Sequence, residues 1–343
     1  MVIKLHSHFL FMTRKNSRKV LSLFYNRIKR IKIDLKHDMG GYMGQVYYYS
    51  IYGLTVESEI PFLEANCRKS EEVSQDVIIR FGSMPEYIKV DKQEGNKNTI
   101  SKQGYVWFSY DGVGDILVEK GERITLELQQ DADYELTKAM LLGSALGIVL
   151  IQREIIAIHS GAVVIHNKAV LVCGNSGAGK STIIHELVKR GHLFLADDTV
   201  AIHGTKQLVA APAYPQQKLC VDTVTRENYD TNTLTILNEE RQKYAISRRD
   251  IFAEKEHPIG GLFYISLSDT DRLTIKEVVG HKKLAIIINN LYLTDIYKVL
   301  GLSPLFFKKC LEFANMIPIY EIERPCGLST EQDIVKFIEN EVV

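Results

Sequence analysis

Gly174-Asn175-Ser176-Gly177-Ala178-Gly179-Lys180-Ser181 spells a complete G-x-x-x-x-G-K-[ST] run. A loop of this composition turns a row of backbone N–H groups toward phosphate oxygens. Gly177 and Gly179 can take positive φ and bring the chain close to a ligand. Lys180 has the reach for β- and γ-phosphates, and the Ser181 hydroxyl can bind Mg²⁺, with Thr182 next in the chain. The implied ligand is a nucleoside triphosphate with Mg²⁺.

Two adjacent carboxylates, Asp197 and Asp198, follow Lys180 by seventeen and eighteen residues. One acid at a phosphate site can hold the metal while a second accepts the proton of an attacking hydroxyl. Neighbouring residues of an extended chain face opposite ways, so a pair at a strand end can divide these roles. In the bland alternative, one Asp caps a loop and only the other works. His159 lies upstream in the apolar run Ile155 to Ala162. Such a residue is more often a satisfied core histidine than a ligand. Its place one strand before the loop makes a metal- or phosphate-facing role equally open.

The elements that position these residues are legible. Ala169 to Cys173 reads as a buried strand entering the loop. Ser181 to Arg190 reads as a helix leaving it, with Ile183, Ile184, Leu187 and Val188 on one face and Gly191 as its stop. His192 to Ala196 is a short apolar strand that ends in the acid pair. The helix between loop and acids is roughly 15 Å long. So short a crossover predicts that the chain returns to a parallel, neighbouring strand.

Taken together, His159-Ser160-Gly161, the loop at 174–181 and Lys189-Arg190-Gly191-His192 running into Ala196-Asp197-Asp198 resemble the catalytic domain of the HPr serine kinase/phosphorylase family. A more distant resemblance is to the core of ATP-dependent phosphoenolpyruvate carboxykinases. The resemblance is dense over about 155–202, weaker at Pro212 to Leu219, and returns at Pro318 to Pro325. Those later segments and Tyr52 to Pro61 resemble one branch, the HPr-kinase-like proteins of lasso-peptide biosynthesis. That branch phosphorylates the C-terminal serine of a precursor peptide. The resemblance implies Asp197 as general base, Asp198 with Ser181 as metal ligands, and His159 as the histidine near metal and phosphates. It further implies ATP and Mg²⁺ as cofactors, with Lys180 on the phosphates. The acid–x–Arg–Gly signature of the bifunctional enzymes is not found between 203 and 260, where Thr225-Arg226-Glu227-Asn228-Tyr229 stands. That departure bears on the phosphorylase activity and on HPr as substrate, not on the kinase core.

Other classes can be set aside. Asn167-Lys168-Ala169-Val170 lacks the Asp of a GTPase base-reading motif and precedes the loop. There is no L-S-G-G-Q run of the transporter type. With 343 residues, 45% apolar and 24% charged, the chain has the composition of a globular protein long enough for two buried cores. The longest apolar run, Ala139 to Ile151, falls short of the ~18–20 residues of a membrane span, and reads as a buried helix joining two halves. Five widely spaced cysteines, at 67, 173, 220, 310 and 326, without C-x-x-C suit reduced thiols and a cytoplasmic location. Nothing points to nucleic acid.

Net charge is zero, but residues 1–38 hold ten Lys and Arg against two acids, leaving −8 elsewhere. This lead contains a candidate amphipathic helix at 20–28, for an anionic membrane or partner; a frayed extension or a start at Met39 or Met43 is the plainer reading. Between Gln45 and Gln130, runs at 46–52, 76–81, 105–110, 115–119 and 123–128 predict an antiparallel β domain, with 91–101 as a loop. Ser329-Thr330-Glu331-Gln332 predicts a capping box on a last helix. Lys218, Lys243, Arg248 and Arg249 are cations that could flank a moving phosphoryl group, with Lys218 and Lys243 the first candidates. His185, His203, His257 and His281 read as structural.

The sequence therefore predicts an α/β protein. A basic extension (1–41), a small β-rich domain (42–130) and a connecting helix (131–153) precede an HPr-kinase-like P-loop domain with a carboxykinase-like core (154–343). Its expected activity is ATP- and Mg²⁺-dependent phosphorylation of a precursor-peptide serine. An HPr-type protein kinase, a small-molecule kinase and a nucleotide-binding module without transfer stay open, as does homo-oligomerisation.

Overall fold

The computed structural model describes residues 45–62, 65, 74–231, 234–238 and 243–342. The basic lead, its candidate helix and Cys67 lie outside the described residues. Among the described residues the strands form three sheets.

The front sheet takes up the β-branched and aromatic runs. It contains β1 (Tyr47–Ile51), β2 (Leu54–Ser58) and β3 (Val77–Phe81), then helix α1 (Glu86–Gln93). β4 (Asn98–Ser101), β5 (Tyr105–Tyr110), β6 (Gly114–Glu119) and β7 (Arg123–Leu128) follow. Strand order is β1-β2-β3-β7-β6-β5-β4. The antiparallel expectation holds for the β1–β2 hairpin and the β4–β7 meander, but β3 runs parallel to both β2 and β7. Residues 59–76 and 82–122 are connections long enough for parallel pairing, which tight turns cannot give. The stretch 91–101 is not a loop throughout: it finishes α1 and supplies β4. As an edge strand bonded only to β5, β4 tolerates polar Asn98, Thr99 and Ser101.

Helix α2 (Tyr134–Gln152) joins the front sheet to the rest. Asp133 caps it, accepting a bond from Leu136 N at 2.8 Å. Two α-helical stretches flank a π turn at Leu141–Ala145. The helix is longer than its apolar run. Its 19 residues pass the length and composition test for a membrane span, yet 67% of that window is buried inside the protein. Its last turn is stitched to the front sheet: Gly121 N donates to Gln152 Oε1 at 2.6 Å, and Gln152 Nε2 donates to Val118 O at 3.1 Å.

The second sheet starts with β8 (Ile156–Ile158), β9 (Ser160–Ile165) and β10 (Lys168–Gly174), then helix α3 (Lys180–Lys189). β11 (Leu193–Ala196), β12 (Val200–His203) and β13 (Val209–Ala211) continue it. A small sheet holds β14 (Gln216–Cys220), β15 (Thr235–Asn238) and β16 (Lys243–Ser247), with α4 (Val221–Arg226) after β14. β17 (His257–Ser268) and β18 (Thr274–Glu277) return to the large sheet. α5 (His281–Asn289), α6 (Thr294–Leu300), α7 (Pro304–Met316), β19 (Ile319–Pro325) and α8 (Glu331–Glu341) complete the chain. The order is β11-β9-β10-β17-β13-β12-β8, with β19 pairing β17 and β18.

Two expectations change here. The run 155–162 is two strands, not one: β8 pairs with β12, and β9 pairs with β10 and β11. The chain switches partners at His159. β11 lies two places from β10, because β9 is inserted antiparallel to both. The short crossover thus spans one strand, and β10 and β11 still end on the same edge, where β9 begins.

A continuous apolar cluster runs from Tyr49 and Val56 through Leu146 and Ile148 to Leu171, Ala201 and Leu262. It joins the front sheet, α2 and the inner face of the large sheet. The opposite face packs Ile183, Ile184 and Leu187 of α3 against Ile334, Val335 and Ile338 of α8. The predicted capping box is absent: Thr330 is the N-cap of α8 without a side-chain cap bond, and Ser329 Oγ instead donates to Glu331 Oε2 at 2.6 Å.

Candidate active site

Strand β10 runs buried to Gly174, and α3 begins at Lys180, so residues 175–179 form the turn between them. Gly177 and Gly179 have φ of 84° and 99°. At Gly179 the requirement is twofold, since a Cβ would also lie 2.4 Å from Nη1 of Arg324. Lys180 Nζ donates to Gly174 O at 2.7 Å and Asn175 O at 3.2 Å, which holds the ammonium over the loop. Burial pulls Lys180 below its usual range, against the opposing pull of Asp198.

The acid pair caps β11 on the edge where β10 ends and β9 starts. The two carboxylates are in different surroundings. Asp198 Oδ2 receives Lys218 Nζ at 2.6 Å. Burial would raise Asp198, but Lys218, then His159 and Lys243, hold it well below the carboxylate range. Asp197 Oδ2 accepts Lys218 N at 3.0 Å, while its buried Oδ1 has no partner. Burial, then the charge of Asp198, pushes Asp197 up to about 7. Burial alone would lower Lys218; Asp198 outweighs it and holds the ammonium well above its ordinary value.

His159 sits at the partner switch between β8 and β9. Its N donates to Asn290 O at 2.7 Å, and its Nδ1 lies 3.0 Å from Asp198 O. Its ring stacks at 6.1 Å on Tyr292. Gly161 allows β9 to pass close by, since a Cβ there would lie 2.7 Å from Ile184 and 3.0 Å from Asp197 O. The fold thus brings His159, the loop, Ser181, Asp197, Asp198 and Lys218 to one edge.

Lys243 acts on both acids electrostatically. Arg248 does not join them. It is buried, and its guanidinium donates to Gln217 Oε1 at 2.7 and 2.9 Å and meets His185 Nδ1 at 2.8 Å. Gln217 Nε2 in turn donates to Ser181 O at 3.2 Å, so this network braces the first turn of α3. Cys173 is buried beneath the loop with its thiol pushed up to about 12, which suits packing rather than reaction.

Arg324 carries no chemical signature in the sequence. It packs against Gly179 from β19, with Nη2 donating to Glu331 Oε1 at 2.7 Å and a buried Nε without a partner. It lies in the segment 318–325, where the resemblance returns.

Among the described residues no group of three or more His, Cys, Asp or Glu could hold a metal by itself. Ser181 and Asp198 offer two hard oxygen donors, which suits Mg²⁺, an ion that usually takes one or two protein oxygens beside phosphates and waters. Asp197, the residue before Asp198, has one carboxylate oxygen without a partner.

A cleft of about 440 Å³ opens from this edge. Gly174, Asn175, Ser176, His159 and Asp198 form its floor. Tyr110 of the front sheet, Met140 and Ser144 of α2, and residues 289–294 form its walls.

Residues 152–220 match the HPr Serine kinase C-terminal domain. That segment holds His159, the loop, both acids and Lys218. The chain is 43% identical over 61 residues to the HPr kinase/phosphorylase of Listeria welshimeri serovar 6b, covering 18% of this chain and 20% of that protein. It is 49% identical over 47 residues to the Lactobacillus johnsonii enzyme of the same name, 14% of this chain and 15% of that one. The matched stretch is therefore a small part of these relatives. A solved structure, the Hpr(Ser) kinase/phosphatase from Coxiella burnetii, aligns over 54% of this chain and 93% of its own at 16% identity and a TM-score of 0.27.

Proposed function

We propose that this chain is an ATP- and Mg²⁺-dependent serine kinase. The observation that carries the reading is the division within the acid pair. Asp198 is tied to Lys218, while Asp197, next to it in the chain, keeps one buried oxygen without a partner.

In this reading the loop amides of 174–182 and Lys180 bind the phosphates. Ser181 and Asp198 hold Mg²⁺, which supplies charge neutralisation to the phosphates. Asp197 Oδ1 accepts the proton of the acceptor hydroxyl. The hydroxyl oxygen bonds to the γ-phosphorus as the bond to the bridging oxygen breaks, and ADP leaves. Lys218 keeps Asp198 ionised and orients Asp197 through its backbone N–H. His159 is anchored on the Asp198 carbonyl beside the phosphate end.

The preferred acceptor is the C-terminal serine of a ribosomally made precursor peptide of the lasso type, with a cytoplasmic setting. The resemblance at 52–61, 212–219 and 318–325 supports it. An HPr-type protein kinase is the second reading, favoured by the family match at 152–220. A kinase of a small hydroxyl compound is the third.

Mass spectrometry after incubation with ATP and Mg²⁺ tests this. The acceptors are a lasso-type precursor ending in serine, an HPr protein and a no-acceptor control. One phosphate on the precursor, lost in Asp197→Asn, is the expected result. A phosphate on HPr alone moves the chain to the second reading, and transfer to neither removes both protein-kinase readings.

A further inference from the structure

The cleft beyond the phosphate loop has walls that the proposed chemistry does not use. Those walls come from three separate parts of the chain. Tyr110 ends β5 of the front sheet, Ser144 lies on the π turn of α2, and Asn290, Tyr292, Leu293 and Thr294 follow α5. A π turn locally widens a helix and is frequent at functional sites. Here it sits where α2 borders the cleft.

We propose that this cleft is the acceptor channel, and that it takes the uncharged peptide segment preceding the acceptor serine. The inference rests on the serine-kinase reading above. If the acceptor is the last residue of a peptide, only residues before it can fill a channel.

Three observations point this way. First, the opening residues of the loop line the cleft together with Asp198 and His159, while Asp197, beside Asp198 in the chain, and Lys180, Ser181 and Thr182 at the start of α3 do not. In-line transfer needs the acceptor on the far side of the γ-phosphorus from ADP. The cleft lies on the His159 and Asp198 side of the loop, the side on which this reading puts the acceptor. Second, its size fits a few residues of extended chain, within the range of pockets that bury a small ligand. Third, its chemistry selects by charge. Among the described residues no Lys or Arg lines it, and Asp198 is its one carboxylate. The hydroxyls of Ser144 and Thr294 suit peptide groups, and Met140, Leu291 and Leu293 suit small apolar side chains. Asp198 is already paired with Lys218, so an acidic segment would lose water against walls that offer it no cation.

The front sheet then has a direct part in the reaction. It closes one side of the channel with Tyr110, held in place by the apolar cluster shared with α2 and the large sheet.

The test uses the full chain, Mg·ATP and two synthetic peptides, one ending Ala-Asn-Ala-Ser and one ending Asp-Asp-Asp-Ser. The wild type is expected to phosphorylate the neutral peptide with a kcat/KM at least about tenfold higher, since burying carboxylates without a partner cation opposes binding. Ser144→Trp and, as an independent block, Thr294→Trp are expected to raise KM for the neutral peptide at least about tenfold, as filling a preformed pocket should. Both should keep the Kd for Mg·ATP within about twofold, which also reports that the loop is folded. Unchanged peptide kinetics in both variants would overturn the channel, as would loss of Mg·ATP binding in both. A preference for the acidic peptide would overturn the charge selection. Transfer to neither peptide by the wild type would overturn the channel and the precursor-peptide acceptor, while phosphate on HPr in the same assay would leave the kinase reading standing.

Discussion

The front sheet and the loop edge of the large sheet both carry many charged side chains, but they treat them differently. In the front sheet the charges are matched. Arg80 pairs with Glu57, Lys92 with Asp115 at 2.5 Å, and Arg153 with Asp76 at 3.1 Å. Buried Asp115 also accepts Trp107 Nε1 at 3.2 Å. At the loop edge, buried Asp197 Oδ1 and Arg324 Nε have no partner, and Asp197 and Asp198 stand side by side. Buried polar groups without partners cost about 1–3 kcal/mol each, so a fold keeps them where they serve something other than stability. The proposed function accounts for this contrast by giving the first region a structural part and the second the chemistry.

The largest expected effect sharpens that contrast. Lys180→Ala should lower phosphoryl transfer by about 10²–10³-fold, the usual consequence of removing one preorganised charge-stabilising group. Its urea midpoint should stay near that of the wild type. Quenched-flow transfer assays beside urea titrations check both halves, and a variant that unfolds would blur the two regions.

Trp107→Ala is the reverse experiment. Trp107 is fully buried among Met84, Ile88 and Leu117, on a face of the front sheet away from the cleft. Truncation should cost about 3–5 kcal/mol of stability, with the Mg·ATP Kd of the folded protein unchanged. Urea unfolding and calorimetric titration measure the pair.

Gly179→Ala tests the loop's backbone. A φ of 99° and the 2.4 Å approach of Arg324 both oppose a Cβ. The strain of about 1–3 kcal/mol should weaken Mg·ATP binding by roughly tenfold or more, measured by the same titration. Retained affinity would mean that the Arg324 contact yields freely.

The smallest effect is a pH dependence. His185 is buried against Arg248, and burial, then that guanidinium, lowers its pKa below the ordinary value. The unfolded chain thus binds a proton more readily than the folded one. Stability is full above the unfolded value of about 6.5 and falls as pH drops through it toward the lower folded value. The slope is at most about 1.4 kcal/mol per pH unit. Urea midpoints at pH 7.5 and 5.5 should fall less in His185→Gln than in the wild type.

What a contiguous run spells was easiest to read. The loop, the strand before it and the helix after it follow from local composition, and the acid pair follows from its place after an apolar tetrad. His159 was visible as a residue but not as a position. The run 155–162 has uniform β character, and nothing local marks the point where the chain leaves β12 for β10 and β11. The insertion of β9 between β10 and β11 was hidden for the same reason, since strand order is set by tertiary pairing. Lys218 was named as a cation, yet its dual grip on Asp197 and Asp198 depends on the small sheet that carries it. Arg324 and Arg248 could not be told apart from surface cations, because their burial comes from segments distant in sequence. The mixed front sheet escaped because hydrophobic period two is the same for parallel and antiparallel pairing.

The measurement that tests the central claim most directly compares Asp197→Asn and Asp198→Asn in single-turnover transfer across a Mg²⁺ titration. The division of labour predicts that Asp197→Asn binds Mg·ATP within a few-fold of the wild type and loses about 10²–10⁴ in rate, as removal of a general base does. Asp198→Asn should instead require far more Mg²⁺ to reach its own maximal rate. Wild-type turnover by Asp197→Asn, or an equal loss of metal dependence in both variants, would contradict the account.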